Sequence, residues 1–189
     1  MLYFKIRQLK VKISFSFFAV VALISLCQNI ISIELIMALI CCFLHEAGHL
    51  ICMYLFSQYP DEIVLYGGGI KIKNSKNIFL SDSVEIAILF AGCAVNILCC
   101  CLTVMILNDF NCFASANLFF GLFNLMPVKY FDGGRIISKV LNDAPAARLI
   151  RIIFIIAFAF VIIIMIINKL FSISLVLTFV YIIVSEFFT

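Results

Sequence analysis

The run from Ile33 to Phe56 is apolar except for Glu34 and one pentad, His45-Glu46-Ala47-Gly48-His49. A segment this long and this apolar is read as a membrane crossing. In lipid the backbone must satisfy its own hydrogen bonds, so the segment is helical. Residues i and i+4 share a helix face, and both imidazoles can then reach one metal ion. Glu46 lies beside the pair, where it can hold a water. Zinc takes nitrogen and oxygen ligands in a tetrahedron, and a catalytic zinc keeps one position open for water. Ionisable groups inside a membrane span are costly and usually functional. His45 and His49 are the only histidines in the chain, so a third protein ligand has to come from elsewhere.

Composition agrees with a membrane protein: 66% of the 189 residues are hydrophobic and 12% are charged, against about half apolar in a soluble domain. The net charge of +3 carries no basic stripe, so no nucleic-acid partner is expected. The nine cysteines lie in or beside apolar runs and form no CxxC pair; they read as packing residues. Lys5, Arg7, Lys10 and Lys12 precede an apolar stretch without a small-x-small cleavage site, so that stretch is read as an uncleaved first span.

Six spans are expected within a single polytopic domain, residues 1–189: Ile13 to Ile31, Ile33 to Phe56, Val84 to Leu107, about Cys112 to Met126, Arg151 to Ile167, and Leu170 to Phe188. The fold class is all-α membrane protein with one short membrane-associated β-hairpin between spans two and three. That hairpin is read from Val64-Leu65-Tyr66, then Gly67-Gly68-Gly69, then the alternating Ile70-Lys71-Ile72-Lys73. The fourth span is short, and Pro127, Gly133 and Gly134 are poor helix residues. A break from Pro127 to Gly134 is therefore expected, with helix resuming near Arg135. Irregular backbone at membrane depth is tolerated where protein or a wet cavity surrounds it. With six spans, twelve of the thirteen basic residues fall on one side, against Lys169 alone on the other. The positive-inside rule makes that side, and both termini, cytoplasmic.

Asp132 is the best candidate for the missing ligand: it is acidic, sits at the broken helix and lies on the pentad's side. Asp61, Glu62, Asp82 and Glu85 lie at span ends where water solvates them, and Glu34 and Asp109 lie on the opposite side. Asp143 is near a loop proline, and Glu186, within the last span, has no assigned role.

These motifs resemble the intramembrane site-2 protease family, which carries HExxH and a distal N-x-x-P-x-x-x-x-D-G. Here the second motif reads Asn124-Leu125-Met126-Pro127-Val128-Lys129-Tyr130-Phe131-Asp132-Gly133. Ala91-Gly92-Cys93-Ala94-Val95-Asn96 resembles the family's A-G-P-x-x-N, with Cys93 in place of proline. Gly67-Gly68-Gly69 resembles its membrane-associated strand segment. The resemblance implies one zinc ion held by His45, His49 and Asp132, with Glu46 as base. It is strongest to the stage IV sporulation protein FB type, without the C-terminal nucleotide-sensing CBS domain that type often carries. It implies cleavage of membrane-tethered proteins in a bacterial cell membrane, possible release of a transcription factor, and possible membrane inhibitors or regulators.

Zinc acidifies water and polarises a carbonyl; Glu46 would take the proton and pass one to the leaving amine. Asn96 and Asn124 either line the cleft and hold substrate backbone or oxyanion, or make interhelical hydrogen bonds. A helical substrate must unwind first, and the strand near Gly67 to Lys73 could pair with it. Two other readings use the same residues: a membrane metal transporter or sensor, which needs no Glu46 chemistry, and an inactive relative that binds membrane partners.

Overall fold

The computed structural model describes residues 2–6, 9–14, 33–58, 60–66, 69–73, 81–129, 131–142, 144–168 and 183. Among them the order is β1 (Leu2–Ile6), β2 (Leu9–Ile13), α1 (Ile33–Leu55), β3 (Glu62–Tyr66), β4 (Gly69–Lys73), α2 (Asp82–Leu107), α3 (Cys112–Asn124), α4 (Asp132–Val140) and α5 (Pro145–Ile167). The chain forms two compact units, Met1–Gly121 and Leu122–Thr189.

In the first unit, α1 and α2 are long and apolar enough to cross a membrane. They pack through glycine. A Cβ at Gly48 would stand 2.7 Å from the Ala91 carbonyl oxygen and 3.0 Å from the Gly92 Cα. Small residues at such a crossing let two backbones approach closely. α2 ends where Asn108 takes the left-handed conformation, φ 47°, a turn that asparagine tolerates better than most residues. α3 is a shorter apolar helix, and its Gly121 lies against Cys93 and Asn96 of α2.

The expected hairpin is present as antiparallel β3 and β4, with Ile63 opposite Ile72 and Leu65 opposite Ile70. It belongs to a larger sheet. The basic N-terminal segment, expected only as the flank of a first span, forms a second hairpin whose β2 pairs in parallel with β3, giving the order β1-β2-β3-β4. Leu2–Ile6 and Leu9–Ile13 alternate apolar and polar as Ile70 to Lys73 do, which is the period of a half-buried strand.

In the second unit, Val128, Phe131 and Ile155 form a buried cluster, with Phe123, Met126, Phe154, Phe158 and Ile183 packed on it. α5 is a third helix long and apolar enough to cross a membrane, with Ile153, Ile156, Phe160, Ile163 and Ile167 exposed. Outward aliphatic side chains of this kind suit lipid, not water. The first and sixth expected spans fall, but for Ile13, Ser14 and Ile183, outside the described residues. Among the described residues three helices are long and apolar enough to cross a membrane, where six spans were expected, and their length and apolarity suit a membrane protein.

The helix after the break begins at Asp132, three residues before the expected Arg135, so both glycines lie in its first turn. Their low helix propensity is overridden by close backbone approach. A Cβ at Gly133 would collide with the Leu125 carbonyl, and one at Gly134 with the Val128 carbonyl. The break itself is closed by turns, with Val128 N donating to Met126 O at 2.8 Å and Phe131 N to Val128 O at 2.9 Å.

Candidate metal centre

His45 and His49 stand one turn apart on α1 and are both buried. Their rings meet edge to face with centroids 4.6 Å apart, and their Nε2 atoms are 3.1 Å from each other. What lies between those nitrogens is decided by the other side of each ring.

His49 Nδ1 is 2.7 Å from the carbonyl oxygen of Ile88 on α2. A carbonyl only accepts, so this Nδ1 carries the hydrogen. His45 Nδ1 is 3.1 Å from Oδ1 of Asn96. The orientation of that amide follows from its other end, where Nδ2 donates to the Cys41 carbonyl at 3.1 Å and to Oδ1 of Asn117 at 3.0 Å. Two acceptors around one amide atom require it to be the NH2 group, which leaves oxygen facing His45. Asn117, on α3, donates in turn to the Phe113 carbonyl at 3.0 Å. Both histidines therefore hold their proton on Nδ1.

The two Nε2 atoms, each with its lone pair, then face each other at 3.1 Å. A cation that accepts both lone pairs would hold them at such a spacing. Zinc–nitrogen bonds of 2.0–2.1 Å at a tetrahedral angle would set such nitrogens roughly 3.3 Å apart, close to the spacing seen. Ligating histidines characteristically donate their second N–H to a carbonyl or other acceptor, which fixes tautomer and aim, and both do so here. The donor set fits a zinc-type ion.

Gly92 of α2 makes room for this pair. A Cβ there would lie 2.6 Å from His49 Nε2 and 2.8 Å from His45 Cε1. Glu46 follows His45 on α1 and is partly exposed.

Asp132 is the first residue of α4 and is buried. The first turn of a helix carries unpaired N–H groups and the positive end of the helix dipole. These offset part of the cost of burying a negative charge. Arg135, one turn on, brings Nη1 to 4.0 Å from the Asp132 carboxylate, but its side chain is 53% exposed, so the pair contributes little. Asp132 is thus a buried carboxylate within its own unit, of a type that can ligate a metal ion.

The two asparagines singled out in the sequence differ. Asn96 is fully buried with its amide engaged by His45, Cys41 and Asn117. Asn124, the last residue of α3, is partly exposed. Asn117 was missed, although it carries the mark that drew attention to Asn96: an amide inside an apolar run. Every cysteine among the described residues is a free thiol, and Cys41, Cys93 and Cys100 are buried, as packing residues would be.

No family model and no curated protein sequence matches the chain. Among solved structures it is similar to a site-2 protease from Methanocaldococcus jannaschii, with a TM-score of 0.65 and 20% identity, over 98% of this chain and 93% of that one. At that identity the likeness is one of fold: the chain is built like a site-2 protease.

Proposed function

We propose that the chain is an intramembrane zinc metalloprotease that hydrolyses peptide bonds of membrane-tethered proteins. The observation that carries the reading is the pair of imidazole Nε2 atoms 3.1 Å apart, each ring aimed by an acceptor at its Nδ1. The buried carboxylate of Asp132 and the shared fold support it.

His45, His49 and Asp132 would hold the ion. Zinc, when bound, supplies Lewis acidity toward a water and a peptide carbonyl. Glu46 is the only acid in the pentad. It takes a proton from the attacking water and returns one to the departing amine, a general-base then general-acid role. Asn96 aims His45 through its Nδ1–H. Among the described residues β4 lies at one edge of the sheet, where an extended substrate would pair with its outer backbone groups.

The charge distribution supports six spans with both termini cytoplasmic. The motifs support a bacterial cell-membrane protease of the sporulation FB type, which would release a membrane-tethered transcription factor and answer to membrane regulators.

The test is co-expression of wild type and Glu46→Gln with membrane-tethered candidate substrates, with metal analysis of both purified proteins. The expected result is one zinc per chain in each, and cleavage lowered about 10²–10⁴-fold in the variant, the usual worth of a general base. A metal-linked activity indifferent to Glu46→Gln would instead make the chain a transporter or sensor.

A further inference from the structure

Asn117 stands one amide away from His45 and is fully buried amid the largely apolar residues of α3. Burying an amide is costly unless its hydrogen bonds are made, and such bonds between membrane helices add little stability of their own. An aliphatic side chain would fill the place without that cost.

The order of the bonds shows what the amide does. Asn117 Nδ2 donates to the Phe113 carbonyl, one turn back on its own helix, at 3.0 Å. A carbonyl only accepts, so the NH2 end is held there and Oδ1 is turned toward α2. That oxygen accepts from Asn96 Nδ2 at 3.0 Å, and the Cys41 carbonyl of α1 accepts from the same nitrogen at 3.1 Å. The two acceptors act differently. The Cys41 carbonyl alone settles which end of the Asn96 amide is nitrogen, but it leaves the group free to turn about that one bond. Both NH2 hydrogens lie in the amide plane. A second acceptor therefore fixes the plane, and with it the direction of Oδ1 toward His45 Nδ1, 3.1 Å away. α3 comes close enough to supply that acceptor because Gly121 follows one turn after Asn117. A Cβ at Gly121 would stand 3.2 Å from the Cys93 carbonyl oxygen and 3.3 Å from the Asn96 Cβ.

We propose that Asn117 is a positioning residue of the metal centre. It sets the rotation of the Asn96 amide, Asn96 aims His45, and Asn117 itself makes no bond to the ion. The proposal rests on the metal-binding reading of His45 and His49 and is independent of peptide hydrolysis. The competing role is a clasp between α2 and α3 that serves packing alone.

The full-length protein in detergent is titrated with zinc against a chelator of known affinity, and its cobalt-loaded form gives a visible spectrum that reports ligand geometry. Asn117→Leu keeps the bulk and removes the acceptor. Zinc affinity is expected to fall about tenfold, the lower end of what an outer partner contributes, with a changed cobalt spectrum. Asn117→Asp returns an acceptor oxygen and is expected to restore affinity to within about twofold of wild type. The deciding measurement is the cycle with Asn96→Ala. Once Asn96 is gone, Asn117 has nothing to aim. The double variant should then bind zinc within about twofold of Asn96→Ala alone, whereas independent contributions would multiply. If Asn117→Leu does not fold, as read from its unfolding midpoint, Asn117→Ala takes its place in the same cycle. Unchanged affinity and spectrum in Asn117→Leu, or losses that multiply in the double variant, would overturn the proposal and leave the packing clasp. A wild-type chain that binds neither zinc nor cobalt would instead remove the metal-binding reading, and this proposal with it.

Discussion

The two histidines and the carboxylate proposed as metal ligands are aimed by different means. His45 and His49 sit in the middle of a long helix, where every backbone group is already bonded. Their direction comes from side-chain and carbonyl acceptors on neighbouring helices, Asn96 and Ile88 on α2 and, behind Asn96, Asn117 on α3. Asp132 sits at the start of a short helix and is placed by the backbone itself, through the turns after α3 and the first turn of α4. An imidazole needs a partner because it has two nitrogens and only one is to be bare. A carboxylate has no tautomer to fix and is served by a helix N-terminus.

The comparison breaks most readily at Asn96. Asn96→Ala removes the acceptor for His45 Nδ1, and zinc affinity should fall 10–100-fold, the usual worth of such an outer partner. Competition with a chelator of known affinity measures it. An unchanged affinity would mean that the histidines are not aimed from outside. Gly92→Ala comes next. Its methyl would enter the space of both rings, and overpacking of this kind costs about 1–3 kcal/mol, to be read as a lowered unfolding midpoint in detergent together with weaker metal binding. The smallest effect belongs to the carboxylate side. Arg135→Ala removes a long, exposed contact and should leave metal affinity within about twofold, since such pairs contribute 0–1 kcal/mol. A large loss in the same chelator titration would show that Asp132 too depends on a side-chain partner.

The sequence is most legible where the signal is local. His45, Glu46 and His49 announce a metal pair because helix geometry alone puts two imidazoles on one face. β3 and β4 are visible in the alternation around Ile70 to Lys73. The hydrogen-bond relay was only half visible, because Asn96 meets Cys41 and Asn117 across 55 and 21 residues of chain, and no local pattern encodes such a meeting. The start of α4 was misjudged because glycine propensity describes an isolated helix, whereas Gly133 and Gly134 are there so that a folded-back carbonyl can come close. β1 and β2 escaped for another reason. Their lysines alternate with aliphatic residues, yet an apolar stretch follows directly, and basic flanks of membrane spans look much the same.

The parallel pairing of β2 with β3 imposes a constraint. Strands bonded side by side occupy one compartment, so the chain that leaves at Ile13 has to come back to the same compartment by Glu62. Whichever compartment holds the sheet, the beginning of the chain and the stretch just after the histidine-bearing helix are confined to it together.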